Sequence, residues 1–179
     1  MILSHKELIK LVDQGVLNAD KRNVNGSSID ITLGKNILIE ERSLYDYIPI
    51  DLVQEVEPVL KERTIPDTGY DIRPNQFLLG HSVEWFNLPA NISAEYKLKS
   101  SLARAGLEHL TAGWIDPTWS GNLTLELKNV TQYHNFKLRE GMKIGQIVFF
   151  KHEEVDEGHS YKRWGRYNGS EGVVKTMGV

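Results

Sequence analysis

Two stretches of the chain concentrate residues able to do chemistry. The first, Lys99-Ser100-Ser101-Leu102-Ala103-Arg104, sets two cations and two hydroxyls within six positions. Charge-assisted bonds from cations, joined by neutral hydroxyl donors, are what a phosphate requires. The same serines also suit the N-cap of a helix, with Lys99 and Arg104 as solvated surface cations. The second stretch runs from Thr111 to Asn129 and contains Ala112-Gly113-Trp114-Ile115-Asp116-Pro117 and, further on, Glu126. Small side chains at 112 and 113 leave main-chain N–H and C=O groups uncovered, so a planar ring could be read by the backbone there. Asp116 before Pro117 is equally a good turn.

Glu126 lies in the alternating run Leu123-Thr124-Leu125-Glu126-Leu127-Lys128. A strand there puts Glu126 on one face with Thr124 and Lys128, opposite Leu125 and Leu127. If the leucines face the core, Glu126 is an exposed residue paired with Lys128. If another subunit covers its face, it becomes a half-buried carboxylate, and burial raises its pKa toward the range useful for proton transfer. His109 suits either a ligand contact or a structural bond. The stretch His152-Glu153-Glu154-Val155-Asp156-Glu157-Gly158-His159 has metal-binding residue types but no fixed spacing on a defined element; it reads as an acidic solvated loop and is assigned no site.

Several elements must position these groups. Ser4 and Glu7 predict a capping box opening a helix from residue 5 to about 15, with Leu8, Ile9, Leu11 and Val12 at helical spacing and Gly15 as the stop. Beyond it the pattern is of short strands: Ser28–Leu33, Asn36–Glu40, Gln76–His81, Ile92–Leu98, Asn122–Lys128 and Lys143–Lys151. Asn25-Gly26, Leu33-Gly34 and Glu140-Gly141 punctuate them. Such spacing predicts a β-sandwich or barrel. Residues 41–75, with Pro49, Pro58, Pro66 and Pro74, predict an excursion or a covering arm. The segment Gly158–Val179 is polar and Gly-rich, yet its Tyr and Trp content predicts that it folds onto something. No internal repeat or low-complexity linker interrupts the chain, so 1–179 reads as a single domain, with about 158–179 as a C-terminal segment.

The 179 residues, 40% hydrophobic and 25% charged, suffice for a sizeable core. No apolar run is long enough to cross a bilayer, and the start MILSHKELIK lacks the character of a signal peptide, which predicts a cytoplasmic protein with no membrane partner. A net charge of −3 argues against a nucleic-acid partner. The chain has no cysteine, which excludes disulfides, thiol nucleophiles and cysteine-ligated zinc.

Taken in order, these segments resemble the dCTP deaminase branch of the trimeric dUTPase superfamily. The resemblance runs through Met1-Ile2-Leu3-Ser4, Ser28-Ile29-Asp30-Ile31-Thr32-Leu33-Gly34, Leu88-Pro89, Ser100-Ser101-Leu102-Ala103-Arg104, Ala112 to Gly121 with Thr124-Leu125-Glu126-Leu127, Gly141-Met142-Lys143-Ile144-Gly145-Gln146, and Arg166-Tyr167 with Gly172. It implies a mainly β, distorted jelly-roll or β-barrel of the dUTPase type with a short N-terminal helix. It also implies a homotrimer with active sites at subunit interfaces and 158–179 as a lid. The implied reaction is zinc-free hydrolytic deamination of the cytosine of dCTP to dUTP and ammonia, feeding dUMP and dTTP synthesis, with dTTP as a feedback inhibitor. Glu126 would be the general base, Ser100 and Arg104 would orient the water and the carboxylate, and Ala112 would meet the pyrimidine. Lys99 and Ser101 would contact phosphates, and Mg²⁺ would be bound through those phosphates.

Gly113-Trp114 follows the alanine where deaminases that stop at dUTP carry His-Arg, and this resembles the bifunctional members that release dUMP and pyrophosphate. In that alternative Asp116 activates water at the α-phosphate. His109 resembles the histidine that precedes the motif in those members. Lys99 in place of the usual Arg, a shorter loop before Thr111, and Ser170 in place of the usual Gln depart from the family. A dUTPase alone, a deaminase of dCMP or a modified deoxycytidine nucleotide, and an inactive nucleotide-sensing relative are therefore further alternatives.

Overall fold

A computed structural model describes residues 1–42, 47, 49–53 and 59–178. Its elements are α1 (His5–Asp13), β1 (Ile29–Thr32), β2 (Asn36–Glu40), β3 (Leu60–Thr64), β4 (Tyr70–Ile72), β5 (Phe77–Asn87), β6 (Ile92–Leu98), α2 (Ser100–Ala105), β7 (Leu107–Glu108), β8 (Trp114–Ile115), β9 (Ser120–Asn129), β10 (Phe136–Leu138), β11 (Lys143–Lys151) and α3 (Tyr161–Trp164). The expected strands at 36–40, 92–98 and 143–151 form with the expected bounds. Those at 76–81 and 122–128 are longer, and 28–33 is shorter.

Two antiparallel sheets carry the fold. One has the order β1-β11-β6-β8, the other β3-β2-β5-β9-β7, and β10 pairs with β4 separately. Alternate residues of both sheets enter one core: Ile29, Ile31, Ala94, Ile147 and Phe149 from the first, and Ile37, Leu78, Phe86, Leu125 and Leu127 from the second. Burial of a side chain the size of Phe86 or Phe149 contributes about 1.5–3 kcal/mol. The arrangement is the mainly β, two-sheet fold expected.

The helix α1 starts at Ser4, but the capping box is absent. The Ser4 side chain makes no cap bond, and the Glu7 carboxylate accepts instead from Lys10 Nζ at 2.8 Å. Backbone bonds from Glu7 N and Leu8 N to Ser4 O open the helix without it. Gly15, at φ 73°, ends it. Part of the irregular stretch 41–75 lies outside the described residues. Within the rest, β3 pairs with β2 and β4 with β10. The C-terminal segment does fold onto something, namely β9 and the turn before it. Asn122 N donates to Ser170 O at 2.8 Å, Ser120 N to Asn168 Oδ1 at 3.0 Å, and Trp119 Nε1 to Tyr167 O at 2.8 Å.

Candidate active site

β9 places Glu126 as its alternation predicts, with Leu125 and Leu127 buried in the core and Glu126 on the other face. Of the two environments anticipated for it, the half-buried carboxylate is the one observed, and the exposed pair with Lys128 is not. No ion pair to Lys128 or any other cation is found among the described residues, and segments of the same chain contribute cover. Tyr161, Tyr167 and Val174 of the C-terminal segment, with Ala112, Asp116 and Trp119, enclose beside Glu126 a cavity of about 420 Å³. Burial raises the Glu126 carboxyl above its ordinary value, opposed only by a bond from its own backbone.

Asp116 enters the same cavity from the turn after β8. Its Oδ1 accepts from Trp114 Nε1 at 3.2 Å, and the Trp114 indole lies 5.9 Å from the Phe150 ring, centroid to centroid. Ala112 lines the cavity, whereas Gly113 does not. Gly113 is buried against β6: its carbonyl accepts from Tyr96 N at 2.7 Å, and a Cβ there would stand 2.5 Å from the Tyr96 carbonyl oxygen. The glycine thus serves a close backbone approach within the fold, and Leu110 and Thr111 before it adopt positive φ values of 55° and 60°.

The cationic segment stands elsewhere. Ser100, Ser101 and Arg104 lie on the exposed helix α2, which Gly106 closes at φ 100°. Lys99, rather than either serine, holds the N-cap position, with no side-chain cap bond. Its ammonium reaches Asp30 Oδ1 at 2.8 Å, while Lys143 bonds Asp30 Oδ2 at 3.0 Å. Burial acts to raise the Asp30 carboxyl, but the bonds from Lys99, Lys143 and Asn25 outweigh it and hold the group below its usual range. None of these residues lines the Glu126 cavity. Arg166 is exposed and outside the lining too, but Tyr167 is within it. His109 packs edge-on against Tyr96 instead of reaching the cavity. One chain therefore brings together Glu126, Asp116, Ala112, Trp114 and Tyr167, and leaves Lys99, Ser100, Ser101 and Arg104 apart.

Tyr161 and Trp119 line the cavity without having been singled out. The aromatic content of the C-terminal segment was the available signal for the first, and the Pro-Thr-Trp-Ser-Gly turn for the second. In the acidic loop, His152 bonds Ser93 Oγ at 2.9 Å and the Glu153 carbonyl at 2.6 Å.

A family profile described as dCTP deaminase-like matches residues 2–152. A protein of Nocardioides sp. named "dCTP deaminase, dUMP-forming" is 37% identical over 184 residues, an alignment covering 96% of this chain and 92% of the relative. One of the same name from Sulfurihydrogenibium sp. is 34% identical over 181 residues, covering 97% and 95%. The crystal structure of 2'-deoxycytidine 5'-triphosphate deaminase from Agrobacterium tumefaciens matches in fold with a TM-score of 0.63 and 21% identity. That match covers 83% of this chain, which spans about half (48%) of the solved chain. With a family profile over most of its length and relatives aligned nearly end to end, the chain belongs to the dCTP deaminase-like family.

Proposed function

We propose that this chain hydrolyses dCTP in two steps, deaminating cytosine and then cleaving the resulting dUTP to dUMP and pyrophosphate. The observation carrying this reading is that Glu126 and Asp116 line one cavity. The names of the relatives support dUMP over dUTP as the end product. Glu126 takes a proton from the water that attacks C4 of the base and passes it to the departing ammonia, a task suited to a carboxylate whose pKa is raised by burial. Asp116 then activates water for in-line attack at the α-phosphate. Main-chain groups at Ala112 hold the pyrimidine, and Gly113 and Trp114 shape that loop. Tyr167 and the segment around it close over the nucleotide as a lid, with Arg166 at its edge.

Lys99, Ser100, Ser101 and Arg104 reach the nucleotide from a neighbouring subunit of a homotrimer in this reading, which accounts for their distance from Glu126 within one chain. His109 supports the base-side loop. Among the described residues no group of three or more His, Asp and Glu side chains is placed to share a metal ion. Glu126 faces the base in this reading, so Mg²⁺ would be held mainly by the nucleotide phosphates, with Asp116 the cavity carboxylate suited to face it. dTTP, sharing the sugar and triphosphate, is the feedback inhibitor, and the reaction belongs in the cytoplasm; no described helix is long and apolar enough to cross a membrane.

The test is incubation with dCTP, dUTP and dCMP in the presence of Mg²⁺, with anion-exchange separation of products and an ammonia assay. Ammonia, dUMP and pyrophosphate from dCTP are expected. Accumulation of dUTP would restrict the reaction to its first step, and unchanged dCTP and dCMP would overturn the reading.

A further inference from the structure

Asn122, Thr124 and Glu126 alternate along one face of β9, and all three line the cavity. The first two are bonded to the C-terminal segment. Asn122 Oδ1 accepts from Gly172 N at 3.0 Å, Asn122 N donates to Ser170 O at 2.8 Å, and Val174 N donates to Thr124 Oγ1 at 3.3 Å. Bound in this way, Val174, Lys175 and Thr176 come to line the cavity with Glu126. The segment approaches β9 too closely for any side chain at 121. A Cβ on Gly121, at φ 146°, would stand 2.8 Å from Ser170 O and 3.0 Å from Ser170 N, and these two residues form a parallel bridge. The Ser170 hydroxyl donates to Tyr167 O at 2.7 Å, so the serine that replaces the usual glutamine turns back into its own segment.

The other end of the Asn122 carboxamide faces β5. Its Nδ2 donates toward three carbonyls, Ser82 O at 3.1 Å, Val83 O at 3.4 Å and Glu84 O at 3.2 Å. They belong to the bend where the pairing of β5 with β9 shifts register between His81 and Trp85. The bend is itself fixed, because the buried Glu84 accepts from Thr32 N at 2.9 Å and Thr32 Oγ1 at 3.0 Å. A carboxamide presents donor and acceptor side by side, and this one ties the fixed bend to a segment that joins β9 through one isolated bridge. We propose that Asn122 and Thr124 are positioning residues that hold the C-terminal segment on β9 and thereby set how firmly the cavity closes over the nucleotide. The proposal rests on the reading of that segment as the cover of the site. Releasing the segment at 172 and 174 frees the stretch that supplies lining residues but leaves Glu126 in place, since pairing with Leu79 of β5 holds it. The effect therefore falls on binding more than on the chemical step.

The experiment compares the full-length wild-type protein with Asn122→Ala and Thr124→Val by amide hydrogen exchange, thermal melting and steady-state kinetics with dCTP. Asn122→Ala removes the side-chain bonds to the segment and to the bend together. Thr124→Val removes only the acceptor of Val174 N, keeps a β-branched side chain suited to a strand, and leaves the bend untouched. It also keeps the question answerable if Asn122→Ala does not fold. Exchange is expected to quicken at least about threefold at Val174 in both variants and at Gly172 in Asn122→Ala, with the amides of β6 and β11 unchanged. KM for dCTP is expected to rise about three- to tenfold in each, while kcat changes less than about twofold. Wild-type exchange at Val174 in Thr124→Val, or quickened exchange with KM unmoved, would overturn the proposal. An Asn122→Ala protein that melts lower yet keeps the exchange of Gly172 and the KM of wild type would show that Asn122 serves the bend alone, and would overturn it too. A wild-type protein that leaves dCTP unchanged would instead overturn the functional reading beneath it, and the exchange rates would still report whether the two side chains hold the segment.

Discussion

Asp116 and Glu126 face one cavity from two different sheets. Asp116 follows β8 at the edge of the four-stranded sheet, and Glu126 lies within β9 of the five-stranded one. The Asp116 carboxylate accepts from the Trp114 indole at 3.2 Å. The Glu126 carboxyl has no ion pair among the described residues and is raised by burial. The two carboxyls thus stand in different surroundings, one bonded to an indole and the other raised by burial, which suits each to its own step.

Glu126→Gln should lower the deamination rate by about 10²- to 10⁴-fold, the usual worth of a positioned general base, with nucleotide affinity kept within a few-fold. Steady-state kinetics alongside calorimetric titration with dCTP check this. In the wild type the rate should rise as pH passes through the raised Glu126 pKa, above the ordinary 4.5 of a glutamate. Stability runs the opposite way. A raised folded-state pKa means that the group's contribution is full below the unfolded value and is lost as pH rises. Glu126→Gln should therefore melt higher than wild type at pH 8, by roughly 2 °C or more, and the gap should close toward pH 4.

Asp116→Asn should abolish pyrophosphate release while deamination continues, so that dUTP accumulates from dCTP. Chromatography of the products over time distinguishes the steps. Equal loss of ammonia and pyrophosphate would remove the case for separate roles.

Gly113→Ala should destabilise the fold and disturb the cavity together. The new Cβ would meet the Tyr96 carbonyl oxygen at 2.5 Å, a backbone atom that cannot swing aside. Overpacking of this kind costs about 1–3 kcal/mol, or roughly 3 to 10 °C in Tm for a chain of this size. Thermal melting measures it, and an unchanged Tm would mean that the loop relaxes freely.

Chains carrying Ser100→Ala and chains carrying Glu126→Gln should each be inactive, yet regain activity when unfolded together and refolded as a mixture. If each site draws Glu126 from one subunit and Ser100 from another, about a quarter of the sites in a random mixture are intact. Activity that stays at the level of the separate variants would place both residues in one chain's site.

Several strands and the orientation of Glu126 were legible in the chain itself. Period-two alternation sets the limits of Asn36–Glu40, Ile92–Leu98 and Lys143–Lys151 and turns Glu126 away from the core leucines, because side-chain direction along a strand is a local property. The two-residue strands β7 and β8 are too short to show a period. That the C-terminal segment folds back was legible in its Tyr and Trp content, but not that Tyr161 and Tyr167 would come to lie beside Glu126, since they stand far along the chain. Nor was the fate of Lys99: strand pairing of β1 with β11 and of β11 with β6 brings Asp30 beside it. Glu7, likewise, has a capping bond and a Lys10 bond equally available by spacing, and takes the second. The sequence by itself determined which groups face which way and the chemistry they are able to do. The tertiary structure decided which are buried, which are paired and which share a cavity, because those depend on contacts between segments that no local pattern encodes.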